Sequence, residues 1–268
     1  MTGPRRYDRR LAQLIGRREQ DPDLAQLANE INACGALEGH AAVVRPVIGE
    51  PAYDEFYVAD LEELGVLGVF IAPVLLPRRR VLALDRRVAL QVRDAHAQGD
   101  LEPILLHELV HAAQRRVHVW SPWLLSRRLQ AFERLALEAA TDQVTEQLVL
   151  DYAPTRGPLD LALPLGAYAA WAAVIDEILN RLSDRRSYQE TLAEFSRLAM
   201  GRRGHWLARE LGWRPSMSSQ LHLARALTPL MTRPLPSDIG ARTVALLQMS
   251  DAIESAVAAL DRRGKSQA

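Results

Sequence analysis

The stretch Leu105-Leu106-His107-Glu108-Leu109-Val110-His111 decides how the chain reads. Its leucines and valine, with Ala112 and Ala113 after them, surround three polar residues on nearly all sides. A helix this apolar belongs in a core. Two imidazoles four residues apart share one helix face, about one turn apart, so both can reach a single metal ion. Glu108 is rotated by roughly 100° from His107. It therefore sits beside such an ion instead of on it, where a general base for a water molecule belongs. In a protein interior two His and a Glu are costly unless they are paired or bound to metal.

Working outward, the composition sets bounds. The chain has 268 residues, 48% hydrophobic and 25% charged, enough for a sizeable core in one large domain or two small ones. Lys+Arg and Asp+Glu balance at 33 each, so no bulk attraction to nucleic acid or to an anionic membrane is expected. Cys34 is the only cysteine, which excludes an intrachain disulfide and the usual thiolate zinc site. Beside the turn at Gly35 it reads as a small structural residue. Met1 to Arg10 is polar and Arg-rich, with no apolar signal core after it. No apolar run approaches eighteen residues without a charge; the closest, Leu159 to Ile175, is broken by Asp160, Pro164 and Gly166. These features lead to the expectation of a soluble, cytoplasmic protein with no nucleic-acid or membrane partner, and leave its oligomeric state open.

Residues 5–37 have helical spacing of Leu11, Leu14, Ile15, Leu24, Leu27, Ala28 and Ile31, with Asp21-Pro22 as N-cap and first-turn proline. From Ala41 to about Leu84 the chain turns to short segments rich in Val, Tyr and Phe. Ala41–Ile48, Glu55–Ala59, Val66–Leu76 and Val81–Leu84 read as three or four strands, with Pro77–Arg80 as a hairpin connection. Pro46 and Pro73 favour edge strands, and an edge strand beside the motif helix is a place to lay out an extended peptide. Residues 86–98 read as a helix ending at Gly99, and Asp100 as the N-cap of a motif helix over 101–117. Ser121-Pro122 opens a long helix whose stripe is Leu129, Phe132, Leu135, Ala136, Ala139, Ala140 and Val144, running on to Leu150. After a break marked by Pro154, Gly157, Pro158 and Pro164, helices are expected over 167–182, 187–200 with a Ser187/Glu190 capping box, 217–231, and 237–262 capped by Ser237.

A catalytic zinc needs three protein ligands and one open position. A third His six residues after His111 is excluded, because that position is Val117; His118, one further on, would lie about 10 Å along the axis. The remaining source is a carboxylate of the next helix: Glu133, Glu138, Asp142 or Glu146. Glu138 is preferred, because Ala139 and Ala140 after it permit close helix approach. Asp142, one turn later, is suited to accept a hydrogen bond from the far nitrogen of a ligating His. Glu133 stays open as an alternative.

The sequence His107-Glu108-x-x-His111 followed by Glu138-x-x-x-Asp142 resembles the gluzincin branch of zinc metallopeptidases, which includes thermolysin. It also looks like the minimal gluzincins of bacteria and phages, in which a short sheet precedes the motif helix. The resemblance spans roughly residues 65–150. It implies His107, His111 and Glu138 as zinc ligands, Glu108 as catalytic base and Asp142 as the group behind the ligands. The expected fold is α+β and predominantly α-helical. A zincin-like small mixed sheet packs on the motif helix over 1–153, and an all-helical region follows over 154–268. The expected activity is zinc-dependent hydrolysis of a peptide or protein substrate. Gluzincins often add a Tyr or His to hold the developing oxyanion; Tyr152, Tyr168, His205 and His222 are all available and none is singled out. Two other readings stay open: a catalytically silent zincin-like binding or regulatory protein, and a helical interaction protein built on 159–262.

Overall fold

A computed structural model describes residues 21–71, 80–114, 126–152, 169–182, 186–199, 201–236 and 238–265. These residues form ten α-helices and three strands, an α+β and predominantly helical chain. Contacts divide it into two compact units: Met1–Arg115 with Leu148–Pro164, and Arg116–Gln147 with Leu165–Ala268.

The first unit starts with α1 (Pro22–Cys34), capped by Asp21, whose carboxylate accepts the Asp23 and Leu24 amides. Leu24, Leu27, Ala28 and Ile31 are its buried stripe, as their spacing predicts. Gly35, at φ 81°, ends it and opens α2 (Ala36–Val44). The left-handed conformation there is one that only glycine adopts without strain. The expected strand Ala41–Ile48 is thus a correction: its first half completes α2 and Val47 and Ile48 turn back onto Val44. Its apolar residues Ala41, Val44 and Ile48 recur at helical spacing, and burial on one helix face outweighed the β-branched composition.

The sheet comprises β1 (Glu55–Ala59), β2 (Gly68–Ile71) and β3 (Val81–Asp85) in the order β1-β3-β2. β1 runs parallel to β3 and β2 antiparallel, with Glu55 opposite Val81 and Gly68 opposite Leu84. Central strand β3 is the most buried, with Leu82, Ala83 and Leu84 fully covered. On one side of β2, Val69 and Ile71 pack over Ala59 and Leu61. Then follow α3 (Arg86–Ala97), capped by Asp85, and α4 (Pro103–Ala113), which packs on β2, β3 and α2. Expected features at Pro73, at Pro77–Arg79, over 5–20 and over 115–125 lie outside the described residues.

α5 (Arg127–Tyr152) runs through the division between the units. Its stripe of Leu129, Phe132, Leu135, Ala136, Ala139, Ala140 and Val144 is buried as expected. Thr141 and Thr145, also buried, satisfy their hydroxyls on the carbonyls of Leu137 and Thr141. The second unit continues with α6 (Ala169–Leu182), α7 (Tyr188–Ser196), α8 (Arg203–Glu210), α9 (Met217–Met231) and α10 (Ile239–Lys265). The Ser187/Glu190 capping box is present at α7. α8 is an addition: its eight residues include two Arg, a His and a Gly, too few apolar positions to show a period. Ser237 lies outside the described residues; Asp238 accepts the Ala241 amide at the start of α10. The window Gly240–Leu260 is long and apolar enough to cross a membrane, with mean hydropathy 1.2. It carries Asp251 and Glu254 and buries Met249, Ile253, Val257 and Leu260 along one stripe, as a helix packed on α6 does.

Gly35→Ala should lower the unfolding free energy by about 1–2 kcal/mol, the cost of a Cβ in the left-handed region, read as a shift of the urea midpoint. An unchanged midpoint would show that the α1–α2 junction relaxes freely.

Candidate metal centre

The motif helix is anchored before it begins. Glu102 is its N-cap and accepts the Leu105 amide at 2.8 Å, with Pro103 in the first turn. Asp100, the expected cap, instead ends the preceding turn, its amide bonded to the Ala95 carbonyl at 2.8 Å. The reason is local: proline at the first helical position leaves the cap to the residue immediately before it. Glu102's own amide donates to His40 Nε2 at 2.8 Å, and His40 Nδ1 donates to the Ala36 carbonyl at 2.8 Å. One nitrogen accepts and the other donates, so His40 is the neutral tautomer protonated on Nδ1. Burial pushes His40 down from 6.5 to about 4, with the Ala36 hydrogen bond opposing and His96 adding slightly. Burial also pushes Glu102 up from 4.5 to about 7, against the amides of Leu105 and Ile104.

From that anchor α4 carries His107, Glu108 and His111 inward, each less than one-tenth exposed. The Nε2 atoms of His107 and His111 are 3.1 Å apart, with ring planes at 78°. Two imidazoles bound to one tetrahedral zinc at 2.0–2.1 Å hold their nitrogens about 3.3 Å apart. The pair already has the separation that a shared ion requires. The ligating atoms of His107, His111 and Glu138 all lie within 4.8 Å of one another. Two imidazole nitrogens and one carboxylate oxygen are a donor set that suits catalytic zinc. Glu108 belongs to a different face: its carboxylate lies against β2 at Gly68.

The acids of α5 separate into different tasks. Glu133, kept open as a ligand, is 1% exposed and holds a loop together. Its Oε2 accepts the amides of Gly201 at 3.0 Å and Arg203 at 3.3 Å, and its Oε1 accepts Gly204 at 2.8 Å. The buried guanidinium of Arg203 stands 4.0 Å away, bonded to the Ser196 carbonyl and set over the Phe195 ring. Burial raises the Glu133 carboxyl, while Arg203 and the three amides pull it back. Burial lowers Arg203 to about 10, still charged at neutral pH. With both oxygens committed, Glu133 is a structural carboxylate, and Glu138 is the acid that the structure brings to the histidines. Asp142 is buried one turn beyond Glu138. Glu146 is half-buried; burial raises its carboxyl, with Asp176 and Asp142 adding to the shift.

Of the residues considered for an oxyanion, Tyr152 donates to the Gly99 carbonyl and His222 lies against the Trp213 ring. His205 is half-buried and Tyr168 lies outside the described residues. His40, Glu102 and Arg203 hold structural positions that no motif in the sequence marks. Only Glu102 had a signal, as the acid directly before Pro103. Gly68 also had one, a lone glycine within an apolar strand, which marks a close approach.

Two outcomes are expected. Glu133→Ala should destabilise the chain by roughly 3 kcal/mol or more, because it leaves a buried cation and three amides unmatched, yet leave metal binding nearly intact; Glu138→Ala should do the opposite. Calorimetric metal titration beside urea unfolding reads both, and reversed metal affinities would move the third ligand to Glu133. The second concerns pH. His40's folded value of about 4 lies below its ordinary 6.5, so its contribution is complete above pH 6.5 and lost as pH falls through about 4. Glu102 acts oppositely, its contribution complete below 4.5 and lost as pH rises through about 7. The stability difference between wild type and His40→Gln should therefore shrink from pH 6.5 to 4, and a constant difference would contradict this. Searches of family models, curated proteins and solved structures found nothing that matches the chain.

Proposed function

We propose that the chain is a zinc-dependent metallopeptidase of the gluzincin type, with His107, His111 and Glu138 as the residues that would hold the metal. The observation that carries this reading is the convergence of those three side chains within 4.8 Å, two of them on one buried helix. Zinc in such a site supplies Lewis acidity, polarising a carbonyl and acidifying water.

The remaining roles belong to the chain's own side chains. Glu108, adjacent to His107 but turned away from the ligand face, takes a proton from water and returns it to the leaving amine. Its burial, 7% exposed, keeps that carboxylate from competing solvent. Asp142 is assigned to orienting a ligand imidazole, since metal-bound histidines need a partner on the far nitrogen. β2 pairs only with β3 among the described residues. Its outer edge offers backbone groups to an extended peptide, which supports a peptide bond as the target. Glu102 and His40 hold the start of α4, and so the register of all three motif residues, against α2.

Purified protein should carry about one zinc per chain, and Glu108→Gln should retain it while losing hydrolysis of a fluorogenic peptide pool by at least about 100-fold. Elemental analysis with the peptide assay reads both. Metal-free protein from non-chelating buffers would sink the proposal, as would full hydrolysis by the Glu108→Gln variant.

A further inference from the structure

We infer that Gly68 is a positioning residue for Glu108, the absence of its side chain being what sets the carboxylate in place under β2. This rests on Glu108 being the base of the proposed hydrolysis. A Cβ at position 68 would lie 2.9 Å from Glu108 Cγ, 3.1 Å from Ile104 Cγ2 and 3.2 Å from Glu108 Oε1. Carbon atoms do not approach that closely, so any side chain at 68 displaces Glu108, Ile104 or the strand. Gly68 is not among the glycines with positive φ. Its backbone is open to any residue, and what requires glycine is space alone.

Neither wall of the gap gives way readily. β2 is paired along its length with buried β3, from Gly68 opposite Leu84 to Ile71 opposite Val81, and the Asp85 amide bonds the Leu67 carbonyl at 2.8 Å. Opposite, α4 is fixed at its start by Glu102 and His40, and at its end by the Ala52 amide on the Ala112 carbonyl at 3.2 Å. The Glu108 side chain is the movable part between them. A methyl group at 68 pushes the carboxylate away from the place it holds against β2. The strand that offers its edge to a peptide thereby also fixes the base, so substrate and base share one reference point.

A double-mutant cycle tests the contact without any metal. Gly68→Ala should lower the melting temperature by about 4 °C in the wild-type background and by much less in Glu108→Ala, where Cγ and the carboxylate are gone. An equal loss in both backgrounds overturns the inference. In the zinc-loaded enzyme Gly68→Ala should keep about one zinc per chain and the wild-type KM for a fluorogenic peptide, with kcat reduced about 100-fold. A kcat within threefold of wild type also overturns it. A wild-type protein that holds zinc but cleaves no peptide overturns the proposed hydrolysis and the role of Glu108 with it. An unequal cycle in that case would leave the Gly68–Glu108 contact standing alone.

Discussion

Everything about this chain turns on how an apolar helix accommodates two imidazoles and a carboxylate in the interior. Residues Pro103–Ala113 bury six apolar side chains at or near full coverage, and between them His107, Glu108 and His111. An uncompensated polar group there costs several kcal/mol on transfer scales, so groups of this kind are buried only with partners. His107 and His111 belong with Glu138 to one cluster whose ligating atoms lie within 4.8 Å of one another, and Glu108 lies against β2. The two Nε2 atoms stand 3.1 Å apart, within hydrogen-bond distance of each other. The surrounding structure holds that arrangement: a buried histidine fixes the helix's first turn, and a paired strand crosses above the glutamate.

The acidic residues of α5 show how burial separates similar side chains by task. Glu133 and Glu138 differ by five positions, so they face different directions on the helix. Glu133 meets a turn whose three amides and one guanidinium fill its oxygens. That interaction has structural value, because removing one partner would strand the others in a dry interior. Glu138 keeps its carboxylate within reach of the histidines. A ligand must retain donor capacity, and a carboxylate saturated by backbone amides has little left to give.

Much of this was legible in the sequence, and the failures have physical causes. The motif helix, the long α5 stripe and the three strands follow from periodicity and turn residues, and Glu138, preferred for the small Ala139 and Ala140 after it, falls in one cluster with the two histidines. α2 was misread as a strand because Val43-Val44 and Ile48 have β composition; the buried face of Leu37, Ala41 and Val44 decided otherwise. The cap of α4 was misplaced by two residues because Asp is the more familiar cap, whereas the proline fixes its position. His40 and Arg203 were invisible. Their partners are distant in sequence, Glu102 for one and Glu133 for the other, and no local pattern records a pairing made only by folding. Gly68 was visible as a lone glycine in a strand, but only the structure shows that the neighbour it spares is Glu108.

The central claim is that His107, His111 and Glu138 together hold a zinc ion. Anomalous diffraction at the zinc edge, from crystals of the purified protein, tests it most directly. The account predicts one strong peak within about 2.2 Å of both Nε2 atoms and one Glu138 oxygen, with Glu108 and Glu133 outside that distance. Zinc-supplemented crystals with no peak among these residues would contradict it.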